Sequence, residues 1–184
     1  MKINLYALRA IYLHEMDRFR RTLTQSVLSP VLTTSLYFIV FGSVIGGYVE
    51  KIDGISYGSY IVPGLLMLTL LTQSISNTSF GIFFPKFNGT IYEILAAPIS
   101  TLEVVLAFVG AGATKTLIVS IIIFITSLFF VDVQVKYPLL MIFLLILVAF
   151  TFALFGFLIG LISSDFEQML SLIHISEPTR HSSI

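Results

Sequence analysis

The sequence predicts an all-α membrane protein, and three observations lead to this fold class. First, 57% of the 184 residues are hydrophobic and only 11% are charged, which is too apolar for a soluble domain. Second, Asp, Glu, Lys and Arg are absent from four stretches, each close to or above the roughly 17–25 residues that a helix needs to cross a bilayer. These stretches are 22–49, 54–85, 116–131 and 137–164. Third, their apolar residues are continuous rather than alternating, which favours helices over barrel strands.

Composition also excludes other classes of site. The chain has no cysteine, so it can form neither a disulfide framework nor a thiolate metal site. Its ten basic and ten acidic residues balance, and no nucleic-acid partner is expected. The N-terminus lacks the short basic start and cleavage site of a signal peptide, so we expect the first span to be retained.

Residues 1–26 are predicted to form a cytoplasmic amphipathic segment that lies in the membrane interface. Its apolar residues recur at helical spacing: Leu5, Leu8, Tyr12, Met16, Phe19 and Leu23. Its charged residues occupy the other faces: Arg9, Glu15, Asp17, Arg18 and Arg20. Arg18, Arg20 and Arg21 are expected near lipid phosphates. The alternative is a solvated basic segment that only sets topology.

Four transmembrane helices are predicted next, over 27–47, 61–84, 109–131 and 139–162. The N-terminal segment and the loop after the second span together carry six Lys and Arg residues, whereas the other two loops carry one each. This asymmetry places the N-terminus and the loop after the second span in the cytoplasm.

Small and polar residues within the spans indicate how these helices pack. Gly42 with Gly46, and Gly156 with Gly160, match the small-xxx-small pattern, which we interpret as ordinary helix packing rather than a dedicated dimer contact. A polar stripe occupies the second span: Thr72, Gln73, Ser74, Ser76, Asn77, Thr78 and Ser79. It either bonds this helix to its neighbours or lines a translocation path. The candidate lining residues are Thr72, Gln73, Ser76 and Asn77.

Lys115 is the one charged residue embedded in a hydrophobic run. The pattern predicts that its side chain extends towards the cytoplasmic headgroups from the start of the third span. No acidic residue lies in the middle of a predicted span as its partner, so a proton relay is not expected.

The connector at 88–100 is patterned as a short capped helix followed by a corner. Thr90-x-x-Glu93 predicts a capping box, and Pro98 should end the helix at Ala97. Ser100-x-x-Glu103 predicts a second capping box, which opens the next helix.

The faces of this short helix differ in polarity. Ile91, Ile94 and Leu95 fall on one side, and Tyr92 and Glu93 on another. A two-turn helix is not stable alone in water, so it needs a surface to lie against. That surface could be lipid, the chain's own spans or a partner protein.

Several motifs resemble the permease subunits of type-2 ABC exporters over about residues 5–169. They are the basic amphipathic N-terminus, SYGSYIVPG at 56–64, GTIYEILAAPIS at 89–100, and FGFLIGLIS at 155–163 followed by a Phe-Glu pair. The resemblance implies a subunit of the bacterial inner membrane that works as a homodimer on two ATP-binding subunits. It also implies that ATP and Mg²⁺ bind in those partners, so this chain needs no cofactor and is not an enzyme. The absence of a G-x-x-x-x-G-K-[ST] motif agrees with this.

By the same resemblance, the connector contains a coupling helix that enters a groove of the ATP-binding subunit. Its residues are Gly89, Thr90, Ile91, Tyr92, Glu93, Ile94 and Leu95. The expected function is therefore ATP-driven export. A non-transporting membrane anchor that recruits a cytoplasmic partner is the alternative, and a secondary transporter is disfavoured because paired intramembrane carboxylates are missing.

The C-terminal segment departs from the family, which normally has six spans. Residues 27–170 are expected to be a truncated transmembrane domain, because the polar residues 171–184 cannot supply two further helices. IHISEPTR at 173–180 resembles a translated sequencing-adapter fragment, so this tail is expected to be non-native or disordered. A natural truncation, a frameshift or a native cytoplasmic tail are the alternatives.

Overall fold

The computed structural model describes residues 4–45, 56–131, 133 and 135–173. All regular structure in these residues is helical, which confirms the predicted fold class. In chain order the elements are α1 (Leu5–Arg21), α2 (Leu23–Tyr37) with a π-helical continuation (Phe38–Ile45), α3 (Tyr57–Phe87), α4 (Ile91–Ala96), α5 (Thr101–Leu128), α6 (Pro138–Ile162) and α7 (Phe166–Ile173).

Four helical stretches are long and apolar enough to cross a membrane: Leu23–Phe41, Tyr57–Phe87, Thr101–Leu128 and Pro138–Ile162. They match the four predicted spans in number and order, and residues 46 and 47 of the first prediction lie outside the described part. The third helix begins at Thr101, not at 109, because its local capping residues set the start rather than the apolar run. Its 28 residues span about 42 Å, more than the roughly 30 Å of a hydrocarbon core.

The two glycines of α6 bring it into backbone contact with α3. A Cβ atom added at Gly156 would lie 2.4 Å from the Ile75 carbonyl oxygen, and one added at Gly160 would lie 2.5 Å from that of Ser79. The Ser79 hydroxyl donates a 2.7 Å hydrogen bond to the Gly156 carbonyl. This glycine pair therefore serves packing within the chain, as interpreted from the sequence. Gly46 of the other pair lies outside the described residues.

Helix α7 folds back onto the C-terminal ends of α3 and α6. Its Met169 and Ile173 side chains are buried in a cluster with Phe83 of α3 and Ile159 of α6. The Lys86 ammonium donates to the carbonyl oxygens of Leu161 and Ser163 at 2.7 and 2.8 Å, which binds the end of α3 to the C-terminus of α6. The sequence-based boundary at 170 thus falls inside a packed helix, and residues 174–184 lie outside the described part.

Candidate functional site

The connector at 88–100 leaves α3 through a tight turn. Helix α3 ends at Phe87, and Gly89 adopts φ +80°, in the left-handed region that glycine tolerates best. The Asn-Gly pair thus supplies the turn between α3 and α4.

The capping box predicted at Thr90 is wrong. Thr90 has helical backbone angles (φ −65°, ψ −14°) and makes no side-chain cap bond; its hydroxyl donates instead to the Pro85 carbonyl at 3.3 Å. A capping side chain needs an extended backbone to reach the N–H two or three residues ahead, and Thr90 lacks it. The other end is as predicted: α4 stops at Ala96, and Ala97 is extended before Pro98.

The second capping box is confirmed and fixes the start of α5. The Ser100 amide donates to Glu103 Oε2 at 2.8 Å, and the Glu103 amide donates to Ser100 Oγ at 3.4 Å. Glu103 Oε1 also accepts from the Asn4 amide, so one carboxylate joins α1 to the corner.

Helix α4 lies against the chain's own spans. Ile91 and Ile94 are partly buried and pack on the core cluster around Phe108. Leu95, predicted on the same side, is not packed on this cluster: it is 68% exposed, as are Tyr92 at 73% and Glu93. Tyr92, Glu93 and Leu95 are therefore the accessible side chains of the predicted contact helix, because Ile91 and Ile94 already pack on the chain's own core.

The polar stripe of α3 divides between inward and outward positions. Ser74, Thr78 and Ser79 are buried, whereas Gln73, Ser76 and Asn77 are partly buried and Thr72 is exposed. Asn77 Nδ2 donates to Gln73 Oε1 at 3.3 Å and to Thr116 Oγ1 of α5 at 3.4 Å. Of the buried members, Ser79 bonds α3 to Gly156 of α6, whereas the hydroxyls of Ser74 and Thr78 have no hydrogen-bond partner among the described residues. The candidate lining residues form the more accessible edge.

Lys115 departs from its expected position because it is 3% exposed. Its Nζ donates to Glu15 Oε2 at 2.7 Å, and Arg18 Nη2 lies 3.0 Å from the same oxygen. The partner comes from α1, a segment in which Glu15 was placed on an outward polar face. A sequence signal existed: Glu15 falls at i+3 from Tyr12 and i−4 from Phe19, within the apolar stripe itself.

Helix α1 packs on α5 along most of its length. The Tyr12 hydroxyl bonds to Thr114 Oγ1 at 3.1 Å, and Phe19 is buried near the end of α1. Of the three predicted interfacial arginines, Arg18 engages Glu15, while Arg20 and Arg21 are exposed. The amphipathic helix thus has a protein-facing side that the sequence assigned to lipid.

The model of the ABC-2 type transporter family matches residues 6–175. The chain is similar to the inner membrane transport permease YadH of Escherichia coli K12, with 37% identity over 163 residues, or 89% of this chain and 64% of the relative. The YadH permeases of Escherichia coli O6:H1 and Shigella flexneri match to the same extent. The chain therefore spans 64% of the length of these curated relatives. No solved structure matches it.

Proposed function

The chain belongs to the ABC-2 type transporter family, and we propose that it is the membrane-spanning subunit of an ATP-driven exporter. Its partner would be a separate ATP-binding subunit, which holds the ATP and Mg²⁺ and performs the hydrolysis. Two copies of the chain would combine with two such subunits in the bacterial inner membrane, the location that the relatives' names carry. The N-terminus and the connector would face the cytoplasm, where ATP is available.

The connector is the proposed contact with the ATP-binding subunit, and one observation carries this assignment. Ile91 and Ile94 of α4 pack on the core of this chain, whereas Tyr92, Glu93 and Leu95 are exposed. The exposed Tyr92 has the chemistry of an interface anchor, because aromatic residues dominate binding energy at protein contacts, and Leu95 adds exposed apolar area next to it.

A displacement of α4 would reach two spans at once. Ile91 and Ile94 on its inner side pack on the core cluster that includes Ile82 of α3 and Phe108 of α5, and the Ser100–Glu103 capping box ties the corner to α5. At its other end, the Thr90 hydroxyl bonds to Pro85 of α3. The connector is therefore braced against both helices that it joins, as transmission of a nucleotide-driven movement requires.

Binding of the ATP-binding subunit tests this proposal. We expect Tyr92→Ala and Leu95→Ala each to weaken the complex by about tenfold, the loss of about 1.4 kcal/mol for one interface anchor. Phe129→Ala and Leu139→Ala are matched controls, since both residues are highly exposed but lie at the other end of the bundle. Affinity is measured by titrating the detergent-solubilised chain with the ATP-binding subunit. Equal affinity of all four variants and the parent chain would contradict the connector assignment.

The outward edge of the polar stripe is the proposed path lining, formed by Thr72, Gln73, Ser76 and Asn77. Partly buried amide and hydroxyl groups are costly against lipid, so they are expected to meet water or polar substrate in the assembled transporter. Cysteine at Gln73 or Asn77 should react with a water-soluble thiol reagent, whereas cysteine at Leu147 on the exposed apolar face of α6 should not. Reactivity at 73 and 77 as low as at 147 would refute the lining.

A further inference from the structure

We propose that the buried ion pair between Lys115 and Glu15 holds α1 in one register on α5, so that both helices move together with the connector. The movement itself rests on the proposed function, whereas the register is a property of the chain alone. Lys115 and Glu15 are accordingly positioning residues for coupling rather than residues that touch ATP or substrate.

Three contacts spread along both helices establish the register. Asn4 meets Glu103, Tyr12 meets Thr114 at 3.1 Å, and Glu15 meets Lys115 at 2.7 Å. The partners are 99, 102 and 100 residues apart in sequence, a nearly constant separation. Two helices with such a separation run side by side in the same direction.

Of these three contacts, the ion pair is the one whose separation would cost the most free energy. Lys115 is 3% exposed and Glu15 is 2% exposed, and Gly81 of α3 closes the site so that a Cβ added there would lie 3.5 Å from Glu15 Oε2. Sliding or tilting α1 would leave an ammonium and a carboxylate buried without each other. A separated buried pair is strongly unfavourable, so the contact is all or none.

The pair is poorly built for stability alone. Glu15 Oε1 has no hydrogen-bond partner among the described residues, and incompletely bonded buried ions often stabilise less than apolar side chains of the same volume. What such a pair supplies is specificity, because one position of α1 pairs Lys115 with Glu15. In neighbouring positions Glu15 keeps only Arg18 of its own helix, and the buried Lys115 loses its counter-charge.

The joint between α1 and α2 explains why α1 needs such a contact. Thr22 separates the two helices with non-helical angles (φ −106°, ψ 13°), so α1 is not a rigid extension of the first span. Fixed to α5 instead, α1 follows the helix that begins at the connector. A movement imposed on α4 would then displace the amphipathic helix at the cytoplasmic end of the bundle as well.

Spin labels on exposed positions of the two helices measure the register directly. The chain contains no cysteine, so Ala10→Cys and Leu106→Cys can be labelled without background. Labelled copies are diluted with unlabelled chain in lipid nanodiscs, and the distance is recorded for the chain alone and for its complex with the ATP-binding subunit. We expect one narrow distribution of distances between the two labels, and we expect ATP not to change its mean.

Charge variants then assign the register to the ion pair. Lys115→Met should broaden the distribution at least twofold, and the swap Glu15→Lys with Lys115→Glu should narrow it again. Lys115→Arg keeps the charge and should stay narrow, and Lys136→Met, in a loop, is the matched control. If Lys115→Met does not fold, Glu15→Gln replaces it with the same expectation.

Two results would overturn the inference. One is a narrow distribution in Lys115→Met or Glu15→Gln, and the other is an ATP-dependent change of the α1–α5 distance with the pair intact. Both differ from failure of the proposed function, in which the ATP-binding subunit does not associate while the distances in the chain alone still report the register.

Discussion

Gly156 shows how the lack of a side chain at one position sets the distance between two spans. The backbone of α3 at Ile75 occupies the volume that any larger residue would need, and backbone cannot move aside as the end of a flexible side chain can. Contacts of this kind supply much of the packing between membrane helices, since lipid is as apolar as leucine.

We therefore expect Gly156→Ala to destabilise the chain by about 1–3 kcal/mol, the usual cost of overpacking a close contact. Gly64→Ala is the control: it lies in α3, and no described atom comes within 4 Å of a Cβ added there. Alanine should be neutral or stabilising at that helical position. Thermal unfolding in detergent measures both, and equal melting temperatures would show that α6 can shift away from α3.

At the scale of elements, the connector depends on a few capping groups with unequal roles. Ser100 and Glu103 bond each other in both directions, whereas Thr90 makes one side-chain bond to Pro85 and no cap. The sequence offered two similar motifs, and the backbone angles of their first residues decided which one formed.

Ser100→Ala should accordingly cost about 1 kcal/mol, because the amide of Glu103 loses its side-chain acceptor and keeps only the Ser100 carbonyl. Thr90→Ala should cost clearly less, since α4 is already uncapped by a side chain. Hydrogen exchange of the first turn of α5 is the measurement, with faster exchange expected only in Ser100→Ala. A larger effect of Thr90→Ala would mean that its bond to Pro85 controls the connector.

For the whole molecule, helix length and charge together predict which parts leave the bilayer. Helices α3 and α5 span about 46 and 42 Å, against about 30 Å of hydrocarbon. The connector joins their shared end, next to Lys86 in the last turn of α3. The excess length together with the positive-inside rule predicts that this end faces the cytoplasm.

Cysteine accessibility tests that orientation. A membrane-impermeant maleimide should label Tyr137→Cys in intact cells, and should label Leu95→Cys only after the membrane is permeabilised. Both residues are exposed, and the parent chain provides a label-free baseline because it has no cysteine. The reverse labelling pattern would show the opposite topology, in which the connector faces away from cytoplasmic ATP.

The sequence by itself determined the spans, their order and the corner at Pro98. Insertion into the membrane depends on the summed apolarity of about twenty consecutive residues. The Ser100–Glu103 capping box and the end of α4 before Ala97 depend on neighbours within one helical turn. Only the tertiary structure decided that Glu15 faces Lys115, that Gly156 meets Ile75, and that Leu95 stays exposed while Ile91 and Ile94 pack on the core. Those outcomes depend on the rotation and register of one helix against another, where a step of one residue turns a side chain by about 100°. Such long-range pairings are fixed by the packed bundle rather than by any local stretch of chain.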